Sequence, residues 1–317
     1  MVKKILLLVT IVSLLFVSCG DKSEELKFST GGDQGTYYAF GNVLAGQVSA
    51  KTDTTVTAIT SGGSKANIES LQFGDAQLGF SQSDVMAYAY DGINLFAKEG
   101  KVDNLTTVAA LYMEQVQIVT CDPSIKTVAD LKGKTVSIGA AGSGVYFNAI
   151  DILAAYGITE ADINATYEDF GNSAESLQDG KIDAAFIVAG APTTAITSLD
   201  ASGDMYLVGM SDEYIEKLVA SSPYYTKNVI AAGTYEGFKQ DTTTVAVGAV
   251  VIARDDVSEQ GIYDFVSTIF DGKAEITKAH AKGNDLDINF ASSVTTIPYH
   301  KGAAKYYSEK GIDVKSK

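Results

Sequence analysis

From about residue 26 onward, the chain alternates short apolar runs with segments that have the pattern of helices. The runs LKFST, TVTAIT and AQLGFS have the length and composition of strands. A helix is predicted from residue 36 to about residue 50, and a loop followed by a helix is predicted in SGGSKANIESLQFG. This alternation predicts an α/β protein with mainly parallel sheets.

The pattern of the first half recurs in the second half. GTYYAF at residues 35–40 is similar to GVYFNA at residues 144–149, since each has a glycine, a capping position and two aromatic residues before a helix. LQFGDAQLGF at residues 71–80 parallels LQDGKIDAAF at residues 177–186, and each is typical of a helix end, a glycine and a buried strand. The recurrence predicts two lobes of similar topology, with chance likeness between generic α/β units as the alternative.

Two strand-like runs are long enough to pass between the lobes. They are LYMEQVQIVT at residues 111–120 and TVAVGAVVIAR at residues 244–254. Two such crossovers divide the first lobe into residues 26–113 and 255–317 and leave residues 114–254 as the second lobe. Paired extended strands of this kind form a hinge that permits rigid-body closure about a cleft.

Three glycine-rich loops, at residues 31–36, 61–64 and 139–144, each follow a strand pattern and precede a helix pattern. In an open parallel sheet such loops gather at the carboxyl ends of the strands, where ligands bind. Each helix start offers N–H groups without a helical partner and a partial positive charge. Converging helix starts therefore predict an anion site, whereas for any single loop turn chemistry is an alternative explanation.

Charge and composition limit the classes of molecule that the protein can bind. The formal charge of −15, from 39 acidic and 24 basic residues, disfavours nucleic acid and anionic membrane surfaces as partners. Arg254 is the sole arginine, so a guanidinium clamp on a ligand carboxylate would have to use it. Arg254 ends the second crossover. It could therefore pair with a carboxylate near the hinge, or it could be an ordinary surface residue.

Motifs for catalysis and for nucleotide binding are absent from the sequence. Gly139 and Gly144 have the spacing of a phosphate loop, but Val145 and Tyr146 follow, so the lysine that pairs with the phosphates is absent. There is no G-x-S-x-G elbow, and no His/Cys cluster has metal-ligand spacing. We therefore expect a binding protein with no catalytic residues, no metal and no cofactor.

Residues 1–18 have the pattern of a secretory signal peptide, in which Lys3 and Lys4 precede an apolar run. The run ends in FVSCG, where a small residue before Cys19 resembles a bacterial lipobox. This pattern predicts cleavage before Cys19, lipid attachment to it and a tether over residues 19–25. The predicted location is periplasmic or otherwise extracytoplasmic, with the lipid as the only membrane anchor; an ordinary signal peptide with an incidental cysteine is the alternative.

Five segments in order resemble the TAXI family, which comprises solute-binding proteins of tripartite ATP-independent periplasmic (TRAP) transporters. They are GGDQGTYYAFGNVLA, TSGGSKANIESLQFGDAQLGFSQSD, GSGVYFNAIDILAAYGIT, GKIDAAFIVAGAPT and IPYHKGAAKYYSEKGI, and the resemblance extends over residues 28–312. It implies a type II periplasmic-binding-protein fold, with two α/β lobes joined by a two-strand hinge and a ligand cleft between them. It also implies a monomer that delivers a small acidic solute, glutamate-like or 2-oxoglutarate-like, to a TRAP membrane permease.

The cleft positions of the family transfer by residue type to the glycine-rich loops and to the strand and helix ends beside them. The predicted ligand-binding residues are Gly35, Thr36, Tyr37, Ser64, Gln82, Ser143, Gly144, Val145, Asn148, Gly190, Ala191 and Pro192. Val145 stands where the family often has threonine, which removes a hydroxyl from the anion site and leaves the ligand open.

Two other functions compete with this one. The chain could be a type II binding protein of an ABC importer or of a sensor, because TRAP transporters, ABC importers and sensors all use binding proteins of this scaffold. It could also be an enzyme on a related two-lobe scaffold.

Overall fold

The structure is a computed structural model that describes residues 24–317. The predicted signal peptide, the predicted lipid attachment at Cys19 and most of the predicted tether lie outside the described residues. Within the described part, no helix is both long enough and apolar enough to cross a membrane.

Strands and helices alternate through most of the chain. The strands are β1 (Glu25–Ser29), β2 (Thr55–Ile59), β3 (Leu78–Gln82), β4 (Leu105–Thr120), β5 (Thr135–Ser137), β6 (Asn164–Thr166), β7 (Ala184–Ala189), β8 (Tyr206–Leu207), β9 (Thr226–Ile230) and β10 (Thr242–Arg254). The helices are α1 (Thr36–Lys51), α2 (Ser64–Phe73), α3 (Ser83–Asp91), α4 (Val145–Ala155), α5 (Phe170–Gln178), α6 (Thr194–Ser202), α7 (Asp212–Ser221), α8 (Glu259–Asp271), α9 (Lys273–Ala279), α10 (Ile288–Ala291) and α11 (Lys301–Glu309). The alternation predicted from the sequence is therefore present.

The strands form one continuous sheet in the order β2-β1-β3-β10-β4-β7-β5-β6, with β8 paired to β4 and β9 paired to β10. β1 pairs in parallel with β2 and β3, and β5 pairs in parallel with β6 and β7. β10 and β4 run antiparallel to each other and to their other neighbours. The prediction of mainly parallel sheets is thus wrong for the centre of the sheet, because one long strand carries the chain out and the other carries it back.

β4 and β10 are the two crossovers that the sequence predicts, and both are longer than their apolar runs suggested. They pair along most of their lengths, from Ala246 opposite Gln115 to Arg254 opposite Leu105. Towards one end of this ribbon β10 pairs with β3, and towards the other end β4 pairs with β7. A single pair of strands therefore connects the two halves of the fold.

The apolar core divides near the middle of this ribbon. One cluster packs α1, α8 and α11 on the sheet around β1, β3 and the first half of β4, with Phe28, Phe40 and Phe265 fully buried. Another packs α4 and α7 around β5, β7 and the second half of β4. We call these halves the first lobe (β1–β3, α1–α3 and α8–α11) and the second lobe (β5–β9 and α4–α7). The finer boundaries at residues 113/114 and 254/255 stay a prediction.

The internal repeat corresponds to equivalent elements of the two lobes. Gly74 follows α2 with φ of 86°, and Gly180 follows α5 with φ of 66°. This left-handed conformation favours glycine because an L side chain would meet its own backbone there. After the glycine, β3 begins in the first lobe and β7 begins in the second, so the repeat relates α2 and β3 to α5 and β7.

Candidate functional site

A cavity of about 230 Å³ lies between the two lobes, at the ends of their parallel strands. Its lining comes from residues 31–37, 61–64 and 82 of the first lobe, residue 114 of β4, and residues 140, 143–145, 169–171 and 188–189 of the second lobe. All three glycine-rich loops therefore face the same space. Within the described residues, no group of three or more His, Cys, Asp and Glu side chains could hold a metal ion.

The first wall of the cavity is the start of α1. Gly35 caps the helix, the Thr36 hydroxyl donates to the Gly190 carbonyl oxygen at 2.8 Å, and the Tyr37 ring stacks on Phe80 with centroids 4.4 Å apart. Within residues 24–317, the N–H groups of Thr36 and Tyr37 have no protein acceptor. This helix start therefore leaves backbone donors at the edge of the cavity for a ligand.

The opposing wall is the start of α4 in the second lobe. Gly144 is its N-cap, and the described part of the chain offers no acceptor to the N–H groups of Gly144 and Val145. The Ser143 hydroxyl donates within its own loop, to the Ala140 carbonyl at 2.7 Å. The start of α4 therefore contributes backbone N–H groups rather than this hydroxyl. Val145, which stands where the TAXI family often has threonine, adds no side-chain donor.

The start of α2 has a different role. Its N–H groups at Lys65 and Ala66 donate to the Gly142 carbonyl of the second lobe, at 3.1 and 3.2 Å. The Ser64 hydroxyl accepts from the Gln82 N–H at 3.1 Å. Although Ser64 lines the cavity, the positive end of α2 is used to join the lobes, so α1 and α4 carry the donors for an anion.

Gln82 reaches across the gap towards the second lobe. A Cβ placed on Gly144 would lie 1.9 Å from Gln82 Oε1 and 3.1 Å from Ser64 Oγ, so glycine is required for this approach. The Gln82 side chain is buried, and its Oε1 has no donor within the described residues. A buried acceptor without a partner is costly, which marks this atom as one that a ligand donor would satisfy.

Glu114 lines the floor of the cavity and was not among the predicted site residues. It lies in β4, is only 2% exposed, and accepts a hydrogen bond from the Tyr37 hydroxyl at 2.8 Å. Burial raises the pKa of the Glu114 carboxyl to about 8, although the hydrogen bond from Tyr37 opposes this shift. The signal in the sequence was a single acidic residue inside the apolar run LYMEQVQIVT.

Four of the predicted site residues do not line the cavity. Gly190, Ala191 and Pro192 lie behind α1, where Gly190 packs so closely that a Cβ would come within 2.6 Å of Lys282. Asn148 is buried beneath the cavity wall, and its Nδ2 donates to Asp84 Oδ2 at 3.0 Å and to the Tyr225 hydroxyl at 2.8 Å. These residues support the site rather than face it.

The contact between Asp84 and Asn148 joins α3 of the first lobe to α4 of the second. Asp84 is fully buried, and burial raises the pKa of its carboxyl to about 7. Asp84 Oδ1 and Asn148 Oδ1 are both buried acceptors without a donor in the described part of the chain. Burial without a basic partner therefore favours the neutral acid over the carboxylate at this contact.

The sole arginine lies far from these groups. Arg254 pairs with its neighbour Asp256 through two hydrogen bonds of 2.8 and 2.6 Å, and its guanidinium covers Gly74 at the outer end of β10. A local ion pair with 61% exposure of the Asp256 side chain contributes little to stability. Arg254 is therefore not a ligand of the cavity.

The family assignment follows from the sequence as a whole. The family model described as NMT1-like family matches residues 28–311. The chain belongs to the NMT1-like family. This assignment covers almost all of the described residues, and it neither includes nor excludes the TAXI subfamily that the five segments resemble.

Solved structures agree on the fold at low sequence identity. PhnD1 from Prochlorococcus marinus, in complex with methylphosphonate, is 12% identical with a TM-score of 0.55 over 83% of this chain and 91% of that chain. A periplasmic binding protein of high arginine specificity from Salmonella typhimurium is 13% identical, with a TM-score of 0.51 over 82% and 98%. The alkanesulfonate-binding protein SsuA from Xanthomonas axonopodis pv. citri, bound to MOPS, is 15% identical, with a TM-score of 0.50 over 90% of each chain. The predicted two-lobed periplasmic-binding-protein fold is thereby confirmed.

The Gly144→Ala substitution tests the close approach of the lobes. The added methyl group would occupy the position of the Gln82 carboxamide, and we expect the free energy of unfolding to fall by about 1–3 kcal/mol, as is usual for overpacking. Urea denaturation of the ligand-free protein measures this change. In the matched control, Gly46→Ala within α1, a Cβ meets no atom within 4 Å, and we expect a gain of about 0.5–1 kcal/mol. Equal effects at the two sites would contradict the assigned contact.

The Asp84→Asn substitution tests the buried carboxyl. An unfolded aspartate ionises near pH ~4, whereas burial raises the pKa of Asp84 in the fold to about 7. The folded protein therefore keeps a proton that the unfolded chain loses, and its free energy of unfolding falls as the pH rises through this window, by up to about 1.4 kcal/mol per pH unit. The variant cannot ionise, so we expect a shallower slope in urea titrations across this pH range.

The control for this experiment is Asp53→Asn, at an exposed position on the surface. We expect this variant to keep the wild-type slope. An Asp84→Asn variant with an unchanged slope would show that Asp84 is ionised in the fold.

Proposed function

We propose that this protein is an extracytoplasmic solute-binding protein that captures a small carboxylate in the cavity between its lobes and delivers it to a membrane transporter. The observation that carries the proposal is the pair of opposing helix starts, α1 and α4, whose first N–H groups have no protein acceptor in the described residues. The family and the two-lobed fold support it.

The geometry favours a carboxylate held by backbone donors rather than by a side-chain cation. A helix start contributes about 0.3–1 kcal/mol to binding of an anion when exposed, and up to about 2 kcal/mol when partly buried. Two such starts on opposite walls add their effects only when the lobes are closed, so the carboxylate itself favours closure. Closure excludes water, which strengthens each hydrogen bond through the lower local dielectric.

The size of the cavity limits the solute. Pockets for drug-sized ligands are usually about 300–1,000 Å³, and this cavity has about 230 Å³. A solute of the size of an amino acid or a short dicarboxylate fits this volume. The predicted glutamate-like and 2-oxoglutarate-like compounds both belong to this class.

Several contacts between the lobes support a closed conformation around such a solute. The Ala195 N–H donates to the Gln34 carbonyl at 3.3 Å, which joins α6 of the second lobe to the loop before α1. The Thr36 hydroxyl donates to the Gly190 carbonyl of the second lobe at 2.8 Å, and α2 bonds to Gly142. Each of the three contacts joins one lobe to the other beside a residue that lines the cavity, as expected for a conformation closed about a hinge.

Two membrane partners are candidates, and the findings support an ABC importer better than a TRAP permease. The matching family is NMT1-like, and the similar structures include an alkanesulfonate-binding protein and an arginine-binding protein. The TRAP assignment depends on the resemblance of five sequence segments to TAXI proteins. Attachment to the membrane through Cys19 and a monomeric state are also proposals that follow from the sequence.

Binding without catalysis is the simplest use of this cavity. The backbone N–H groups at the starts of α1 and α4 hold an anion without transferring a proton to it. We propose that the solute leaves chemically unchanged, and mass spectrometry of a solute recovered after prolonged incubation tests this directly.

Thermal denaturation with a panel of small carboxylates tests the proposed function. We expect at least one amino acid, 2-oxo acid or dicarboxylate to raise Tm, because a ligand at about 100 times its Kd stabilises the native state by about 2.7 kcal/mol. The amide and ester analogues of each compound, which lack the negative charge, are the controls. A panel in which the charged and uncharged analogues give equal shifts, or none, would contradict the proposal.

Uptake into membrane vesicles distinguishes the two transporters. With purified protein added, we expect uptake of the stabilising solute to require ATP hydrolysis, to be blocked by vanadate and to persist when ion gradients are collapsed. Uptake that is lost on collapse of the ion gradient and continues without ATP would identify a TRAP permease instead.

A further inference from the structure

The side chains that line the cavity include carboxyl groups and lack basic groups. Asp33, Glu114 and Asp169 contribute to the lining, while none of the residues that the structure places there is Lys, Arg or His. Asp33 and Asp169 are exposed, and Asp169 caps α5 by accepting from the Asn172 N–H at 2.8 Å. Glu114 is the one lining carboxyl that is buried, so its charge has the strongest effect on what the cavity accepts.

Two buried side chains with acceptor oxygens lie on this floor, and one of the oxygens, Gln82 Oε1, has no donor within the described residues. The Glu114 carboxyl accepts a hydrogen bond from the Tyr37 hydroxyl, whose ring is fixed by stacking on Phe80, and the Gln82 side chain beside it also acts to lower its pKa. Gln82, which is 2% exposed, presents a buried Oε1 without a donor in the described part of the chain. Acceptors that lie together favour a ligand group with several donors, and an ammonium group has three.

The charges around Glu114 set the state of its carboxyl. The titratable and charged groups that face it are Tyr37 on α1, Asp84 on α3, Tyr112 on its own strand, and Lys282 near α9. Lys282 is itself paired with Asp285 at 2.9 Å, so its charge is partly neutralised. Burial outweighs the effect of Lys282 and raises the pKa of Glu114 to about 8, so the carboxyl is mainly protonated at neutral pH while no cationic solute is bound.

We propose that Glu114 determines specificity by exchanging its proton for the ammonium group of the solute, so that capture of an amino acid releases a proton to the solvent. The inference rests on the proposed function and deepens it. On binding, the O–H bond of the Glu114 carboxyl breaks, its proton passes to water, and the carboxylate accepts from the ammonium N–H. The solute carboxylate lies towards the starts of α1 and α4, and no covalent bond to the solute forms or breaks.

A solute without an amino group would bind to the protonated form of Glu114 rather than to its carboxylate. The neutral carboxyl would then donate its O–H to an oxygen of a 2-oxo acid, and no proton would be released. Affinity for such a solute would fall as the pH rises and Glu114 ionises. The two modes therefore predict opposite dependences on pH.

Isothermal titration calorimetry with matched solutes tests the exchange. The probes are L-glutamate with 2-oxoglutarate and L-alanine with pyruvate, since each pair differs in the group at the α carbon. We expect the amino acids to bind more tightly as the pH rises, approaching tenfold per pH unit below the pKa of Glu114 and levelling above it. At a fixed pH below that range, the binding enthalpy should differ between phosphate and Tris buffers by an amount that corresponds to release of about one proton.

Glu114→Gln keeps the shape of the side chain and removes its charge. We expect it to weaken binding of the preferred amino acid by about tenfold or more, to abolish the pH dependence, and to change the affinity for the 2-oxo acid by less than about threefold. The matched control is Glu309→Gln, since Glu309 accepts from the Tyr263 hydroxyl at 2.8 Å on the exposed surface. We expect the control to bind as the wild type does.

The outcomes separate this inference from the proposed function. Tighter binding of the 2-oxo acid, or wild-type binding of the amino acid that is independent of pH and of buffer, would overturn the exchange while leaving the carboxylate-binding function intact. Absence of binding by all four probes and by the wider carboxylate panel would overturn both. The buffer measurement uses the wild-type protein, so the inference stays testable if Glu114→Gln fails to fold.

Discussion

The antiparallel pairing of β4 with β10 is the constraint on which the rest of this structure depends. These two strands are hydrogen-bonded to each other where the chain passes between the lobes, and they supply the central strands of both halves of the sheet. Any relative movement of the lobes must bend or twist this ribbon. The positions of the helix starts across the cavity are consequently set by a shared backbone element. Glu114 lies on the same ribbon, so the floor of the cavity belongs to the hinge itself.

Much of the architecture could be predicted because short segments of the sequence determine the type and the ends of each strand and helix. Apolar runs separated by helical segments identified β1–β3 and the helices between them, and the two glycine C-caps revealed the repeat between the lobes. The direction of β4 and β10 could not be obtained in this way. An apolar run has the same composition in a parallel and in an antiparallel sheet, and only the path of the chain through both lobes decides the direction.

The site was predictable to a smaller extent and for a related reason. Glycine-rich loops before helices are local features, so eight of the predicted residues line the cavity. The partners of those loops are not local. Nothing near Lys65 in the sequence shows that its N–H is paired with Gly142, and nothing near Glu114 shows that Tyr37 donates to it. Asn148 was among the ligand residues predicted from the family resemblance, but its side chain donates to Asp84 beneath the cavity wall.

The contact of α2 with the Gly142 carbonyl has a further consequence for how occupancy is signalled. A carbonyl oxygen carries partial negative charge, so Gly142 serves the positive end of α2 as an internal substitute for an anion. These hydrogen bonds depend on the loops alone, and they lower the free energy of the closed state with or without cargo. Pre-organisation of this kind reduces the conformational cost that the solute must overcome, which favours tight capture. It also makes the conformations of the empty and the loaded protein more alike. A transporter that binds only the loaded protein must therefore recognise some difference other than closure of the lobes.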